Sequence, residues 1–492
     1  SDKSKKMFIQ LLLLTSLLIV LFKFLTREHD YWHKRGVPYK VPYPFVGNLF
    51  RVIIKKETYQ MALHRLYQES EGHRFYGIFN LMSPALLVRD VDIVNSILKS
   101  DFSSFSSRGL LTDHRRDPLS VNLFFMDGAL WKRSRELLRH GFKSSRLRTL
   151  VPLIEQSAKL VFKDGGDPKC LEVKQLADRF SAAVIVGPVL GMELNDGNWN
   201  GLDLFVKECE HSFNVKGWQA VLTLMRLFVP KAALALGIKC VPQSTEDFFQ
   251  DVLEKVKAGR EEGVTRQDYI QTIFSLISGL SEHYSEPGFL DAALCGNFFI
   301  FALGGFETTA TTITYALYEL AQHPEVCEEA RLEILKVTDG SKTNFTYDHL
   351  KELKYLQNVI QEVLRLHPPV TGFLRICTAK YCIPDSDVVL QPGDSIIIST
   401  LGLQTDSKYF DRPLEFHPSR FDQPITEGTF LPFANGPRTC IGMQLAMTVL
   451  KIVLCHILLN FDLSLDAKTP EKLEFNPERL IARPNSDVWI KF

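Results

Sequence analysis

One run near the C-terminus constrains this chain more than any other: Phe433-Ala434-Asn435-Gly436-Pro437-Arg438-Thr439-Cys440-Ile441-Gly442. It sets a cysteine in a turn made of Asn, Gly and Pro, and an apolar segment with helical spacing follows from Met443 to about Leu459. Such a turn holds sulfur on a stiff loop at the start of a helix, where backbone N–H groups and the helix dipole favour thiolate over thiol. A thiolate held this way can ligate a metal or a haem iron. A lone cysteine is more often one more buried side chain, so the rest of the chain has to supply the partners.

Composition removes several alternatives. With 45% hydrophobic and 23% charged residues the chain is an ordinary globular sequence, long enough at 492 residues for a large core. Its formal net charge is zero, so no basic field points to nucleic acid. No zinc-finger, RNA-reading or phosphate-loop pattern occurs. The nine cysteines are scattered, odd in number and never in a C-x-x-C pair, which reads as a reduced, cytosol-facing protein. The sequon Asn344-Phe345-Thr346 is then expected to be unused.

Met7 to Phe22 carries no charge and is dominated by Leu and Ile, with Lys3, Lys5 and Lys6 before it and Lys23 after. With snorkelling lysines it suffices to span a bilayer. It lacks a small-residue cleavage site and is followed by the proline-stiffened stretch Gly36–Pro44, so it reads as a retained signal anchor. The expected organisation is an anchor over 1–25, a Pro-rich spacer over 26–50 and one large, mainly α domain over 51–492. Helical spacing occurs over Thr58–Glu71, Asp90–Lys99, Leu150–Phe162, Val173–Leu190, Thr245–Ala258, Arg266–Leu280 and, longest, Pro287–His323. Ala85–Val88, Asp385–Thr400 and Val488–Phe492 make the small β portion. Phe102–Asn122 reads as a loop and Phe205–Ala235 as an irregular apolar region.

Three further motifs carry chemistry. The longest helix contains Gly304-Gly305-Phe306-Glu307-Thr308-Thr309. Two glycines cost a helix about 1 kcal/mol each relative to Ala, so either helices approach closely there or the helix opens locally over a bound cofactor. Glu307 and Thr308 beside them form a carboxylate–hydroxyl pair able to pass protons inward. Glu362 and Arg365 are three apart on one helix face, where they can pair, and Pro418-Ser419-Arg420-Phe421 follows. Trp131 and Arg135, four apart, share a face of a helix that, with its sequel, carries Lys132, Arg133, Arg139, Lys143, Arg146 and Arg148.

Taken in order, these motifs resemble the cytochrome P450 family from the Pro-rich stretch to Phe492. Asp117-Pro118-Leu119-Ser120, Arg260-Glu-Glu-Gly-Val-Thr-Arg-Gln-Asp268 and Gly305-Phe306-Glu307-Thr308 look like the microsomal members of insects, in the clan that includes vertebrate drug-metabolising enzymes. One departure stands in the cysteine loop, where the family has Gly or a small polar residue and this chain has Ala434. The resemblance implies a P450 fold, a haem b cofactor with Cys440 as axial iron ligand, Phe433 packed on the loop that Gly436 turns, and Gly442 letting the helix approach the ring. It implies propionate contacts from Trp131, Arg135, Arg375 and Arg438. It also implies that Thr308 steadies dioxygen, that Glu307 helps deliver protons, and that Glu362, Arg365 and Arg420 form a structural network.

The activity so implied is monooxygenation of a lipophilic small molecule with NADPH-derived electrons. The expected partners are NADPH-cytochrome P450 reductase, docked on the basic helix, and cytochrome b5. The implied location is the endoplasmic reticulum membrane, with the catalytic domain facing the cytosol. The pocket is expected along Leu110–Phe124, Phe205–Phe213, Phe298–Glu307, Val370–Phe373 and Leu480–Ala482, with Phe124, Phe125, Phe205, Phe213, Phe298, Phe301, Phe306 and Phe373 in or beside it. Detoxification of plant toxins and insecticides is the leading role. A fixed step on a hormone, pheromone or terpenoid, a reductase-independent isomerase or dehydratase, and a non-enzymatic haem protein stay open.

Overall fold

The computed structural model describes residues 2–164, 170–192, 199–213, 218–261 and 269–492. Most of the Arg260–Asp268 motif and the side chain of Phe213 lie outside the described residues. The chain forms two compact units, residues 1–107 with 372–399, and residues 108–371 with 400–492.

The first unit is built on a four-stranded sheet. Phe75–Asn80 pairs antiparallel with Ser83–Val88, which pairs in parallel with Ser395–Ser399, which pairs antiparallel with Gly372–Ile376. The strands at Ala85–Val88 and within Asp385–Thr400 were legible from their apolar, β-branched runs. Phe75–Asn80 was not, since aromatics around Gly77 break its alternation. That glycine has a use: a Cβ at Gly77 would lie 2.4 Å from the Trp32 ring, and Trp32 donates from Nε1 to Ile78 O at 3.1 Å. The Pro-rich stretch docks here too, through Lys40 N to Gly77 O at 2.9 Å and Gly77 N to Pro38 O at 2.7 Å. Upstream, the helix Asp2–Thr26 leaves its apolar side chains exposed, from Met7 to Phe24.

The second unit is helical, and its core is the helix Phe289–Gln322, buried over most of its length. An all-round apolar helix of this kind belongs inside a large protein. Its sequence admits neighbours at close range. A Cβ at Gly296 would meet Val121 O at 2.4 Å, and Asn297 Oδ1 accepts from Leu123 N at 3.1 Å, so the 119–123 loop is fastened to it. The Met443–Asn460 helix is likewise buried. Three helices among the described residues are long and apolar enough to cross a membrane, yet only the N-terminal one has none of its apolar window buried in the protein.

The apolar region expected to be irregular is helical: Trp199–Phe213, Trp218–Phe228 and Pro230–Ala235. Its Leu, Ala, Met, Gln and Arg residues favour helix, but Pro230 looks like a breaker. Pro230 instead occupies the first turn of its own helix, where no N–H is needed.

Candidate functional site

The Cys440 loop closes on backbone hydrogen bonds. Cys440 N donates to Phe433 O at 2.9 Å, Thr439 N to Gly436 O at 3.0 Å and Ala434 N to Leu431 O at 3.1 Å. Asn435 Oδ1 accepts from Gly436 N at 2.8 Å. The turn needs two left-handed residues, Gly436 at φ 71° and Ala434 at φ 59°. An L-residue there costs about 1 kcal/mol or more relative to Gly, so the Ala434 departure is a strained residue rather than a missing ligand. The helix Met443–Asn460 starts directly after Gly442.

The Cys440 side chain is accessible, although protein groups crowd its sulfur. Burial raises the thiol, and the N–H groups of Gly442 and Met443, with the charges of Arg135 and Arg108, pull it back part of the way. The helix-start effect expected from the sequence is present and smaller than desolvation. The sulfur becomes a thiolate readily only when a cation joins it.

Guanidinium groups gather beside this sulfur. Arg438, 2% exposed, donates from Nη2 to Met126 O at 2.9 Å and to the Asp127 carboxylate, and lies 4.2 Å above the Trp131 ring. Burial lowers Arg438 to about 10, against the pull of Asp127. Burial also lowers Arg135, whose charge is felt by both Arg438 and Cys440. Arg108 donates to Phe124 O at 3.0 Å and to Arg438 O at 3.5 Å. Asp127 thus meets two of these residues, accepting from Arg438 Nη2 and from Arg108 N at 3.4 Å. Carboxylates fit guanidinium forks, so arginines placed here suit an anionic group. Arg375 belongs to the other unit, on the strand Gly372–Ile376, where it is 1% exposed and donates from Nη1 to Leu374 O at 2.9 Å.

On the long helix the two glycines separate into two uses. A Cβ at Gly305 would lie 2.4 Å from Ile185 Cδ1, in the wider π turn Ile185–Val189 that packs there. A Cβ at Gly304 would meet nothing within 4 Å. Close helix approach and open space are therefore both present, one residue apart. The helix runs unbroken through both, so the expected local opening is not seen; the departure is the Thr308 hydroxyl, which donates back to Gly304 O at 2.6 Å. Glu307 and Thr308 do not form a pair, because successive helical residues face different directions. Thr308 stands on the open side of Gly304, and Glu307 is 0% exposed with Arg483 Nε 3.0 Å from its Oε1. At Gly442 a Cβ would make only ordinary contacts, 3.9 Å from Cys440 Sγ and from Phe142 Cε1, so the protein itself does not demand glycine there.

Glu362 binds the loop region together. Arg365 donates to both its oxygens at 2.7 and 2.8 Å, Arg420 Nε at 2.9 Å and His417 N at 2.8 Å. Gln404 extends the network: its amide donates to Leu364 O and Arg365 O, and its Oε1 accepts from Leu431 N at 2.9 Å, two residues before Phe433. Several of the expected pocket aromatics are core. Phe205, Phe298 and Phe306 are nearly inaccessible and meet Phe249 or one another ring to ring. Phe301 packs on Phe142 and Tyr269, Phe124 is exposed and Phe125 half-buried, and Phe373 lies in the first unit.

The sequence reading missed Arg108, Asp127, Gln404, Arg479 and Arg483. Asp127 before Gly128 carries the signal of a helix cap, but its side chain binds Arg438 instead. The others carry no local signal, because their partners are distant in the chain.

An accessible sulfur on a stiff loop, with arginine charge acting on it, suits a haem whose iron takes a cysteine and whose propionates meet arginines. This defines the class, a haem-thiolate enzyme on a mainly α scaffold. The chain belongs to the cytochrome P450 family, whose sequence profile matches residues 37–492. It is 30% identical to cytochrome P450 6B1 of Papilio polyxenes over 98% of both chains. It is also 30% identical to cytochrome P450 6a8 of Drosophila melanogaster over 97% of both chains. Cytochrome P450 6j1 of Blattella germanica is 32% identical, over 94% of this chain and 92% of that one. The chain is a cytochrome P450 monooxygenase of the kind insects carry.

Proposed function

We propose that this enzyme inserts one atom of dioxygen into lipophilic foreign compounds, such as plant toxins or insecticides, with electrons from NADPH delivered by a flavoprotein reductase. Substrate, dioxygen, NADPH and a proton give the oxygenated product, NADP⁺ and water. The observation that carries the reading is the accessible sulfur of Cys440 with the charges of Arg135 and Arg108 acting on it, and the buried Arg438 two residues before it. When bound, haem supplies the oxygen chemistry, and the protein supplies position, protons and dryness.

In this reading Cys440 gives the iron its sulfur, and the loop from Phe433 through Gly436 to Gly442 keeps that sulfur in place. Trp131, Arg135 and Arg438 hold the propionates. Thr308, on the open side of Gly304, would offer its hydroxyl, here donating to Gly304 O, to the oxygen site, and Glu307 would supply a proton from its ionic surroundings. The helix Asp2–Thr26 anchors the enzyme in the endoplasmic reticulum membrane, where lipophilic compounds concentrate, with the catalytic domain in the cytosol. Lys132, Arg139 and Lys143, all exposed, offer an acidic reductase its docking surface, with cytochrome b5 as a second donor. Arg148 contributes less, because Asp348 already binds it from both guanidinium nitrogens.

The test is turnover in lipid vesicles with NADPH and the reductase, using isotopically labelled dioxygen and a panel of unrelated lipophilic compounds. The reading expects one labelled oxygen in each product and turnover across the panel. Turnover of a single compound alone would point to a dedicated endogenous substrate. Unlabelled, NADPH-independent products would contradict monooxygenation.

A further inference from the structure

Glu307 is placed unlike an ordinary buried carboxylate. It is 0% exposed, yet neither of its oxygens has a hydrogen-bond partner among the described residues. Two guanidinium groups attract it by charge: Arg483 Nε at 3.0 Å and Arg479 Nη1 at 3.9 Å from Oε1. Their directed bonds go elsewhere. Arg483 donates from Nη2 and Nη1 to Asp178, from Nε to Thr311 Oγ1 at 3.4 Å and from Nη1 to Glu210 Oε1 at 3.4 Å. Arg479 donates to Glu210 Oε1 at 3.1 Å and to Glu210 O at 3.2 Å.

Glu210 thus shares both of the guanidinium groups that attract Glu307. It lies on the helix Trp199–Phe213, and Lys174 Nζ, 3.0 Å away on the helix Val173–Val184, holds it from the other side. Other titratable groups in the surroundings are Asp178 on that same helix and Glu208 and the Cys209 thiol on the Trp199–Phe213 helix. A buried ion pair is favourable only when hydrogen bonds back the attraction, and at Glu307 none does. Its state therefore depends on how the charge of two arginines is divided. Burial raises the Glu307 carboxyl, the two arginines lower it, and Asp178 and Glu210 raise it again.

We propose that Arg479 and Arg483 are positioning residues for Glu307, and that Glu210 sets how much of their charge Glu307 receives. Resting on the reading that Glu307 moves protons toward the oxygen site, this makes the position of the Trp199–Phe213 helix a control on proton supply. Drawing Glu210 away from the arginines leaves them to Glu307 and favours its carboxylate. Drawing Arg479 away favours the protonated form.

The two effects have opposite signs, which makes the test direct. Glu210→Gln and Arg479→Gln alter side chains 27% and 11% exposed; the first keeps the shape of the side chain and the second removes the guanidinium charge. Two readouts are followed against pH in the full-length holoenzyme. One is product formed per NADPH oxidised with the reductase. The other is the infrared C=O band of a protonated buried carboxyl in the resting protein, assigned by its loss in Glu307→Gln. The proposal expects the infrared midpoint to fall in Glu210→Gln and to rise in Arg479→Gln, each by about threefold or more in proton affinity, a shift readily resolved. Arg479→Lys, which keeps the charge, restores the parent midpoint. Unmoved midpoints, or shifts of the same sign, overturn it. Opposite infrared shifts in a protein that makes no oxygenated product leave the positioning standing and remove the monooxygenase reading.

Discussion

At Gly305 an added methyl group meets Ile185 Cδ1 at 2.4 Å, whereas at Gly304 it meets nothing within 4 Å. Ala in a helix interior is worth about 1 kcal/mol over Gly, and forcing a methyl into a packed core costs about 1–3 kcal/mol. Gly304→Ala is therefore expected to raise the denaturant midpoint slightly while lowering product formed per NADPH. Gly305→Ala is expected to be the less stable of the two by about 1 kcal/mol, since only the tip of Ile185 has to move; equal stabilities in urea unfolding would contradict this division. At this scale, what was legible in the sequence was contiguous. Cys440, Arg438 and the glycine pair announce themselves because each lies inside a short motif. The direction of Glu307 does not, since Arg479 and Arg483 come from the far end of the chain and nothing local tells a carboxylate facing an oxygen site from one facing arginines.

Among the elements, the helix Lys354–Leu366 carries the Glu362 network, with Arg365 and Glu362 both 0% exposed. Removing one partner of a buried ion pair costs about 3–5 kcal/mol. Glu362→Gln should lose about that much in equilibrium unfolding, and haem retention with it, because Gln404 ties this network to Leu431. An unchanged unfolding midpoint would sever the link drawn here. The Met443–Asn460 helix supplies a pH test. Lys451, 6% exposed, donates to Leu350 O at 2.7 Å, and burial lowers it to about 8 from the usual 10.5. Between those values the unfolded chain binds the proton that the native protein resists, so stability rises with pH across about 8 to 10.5 and the full penalty applies below 8. Relative to Lys451→Met, the parent should gain by about 2 kcal/mol or more on going from pH 7 to pH 10. A flat difference would mean the ammonium is solvated. The helices between Trp199 and Ala235 were missed for another reason: Pro230 reads as a breaker in the sequence, whereas it opens the helix Pro230–Ala235.

For the molecule as a whole, the mainly α class and the small β portion could be read from hydrophobic spacing. The division into two compact units could not, because one unit takes residues 372–399 from within the span of the other, and no composition shift marks such an exchange. The helix Asp2–Thr26 carries none of the packing of either helical core, its apolar window being unburied. Removing residues 2–26 should release most of the enzyme from salt-washed membranes and leave its haem spectrum unchanged; loss of the spectrum would mean the helix is part of the fold. The central claim, that a cysteine sulfur at the start of the Met443–Asn460 helix holds the haem iron, is tested most directly by the carbon monoxide difference spectrum of the reduced protein beside Cys440→Ser. A strongly red-shifted Soret band in the parent, absent in the variant, is the predicted result. A parent band at the ordinary histidine-haem position would contradict thiolate ligation and the oxygen chemistry built on it.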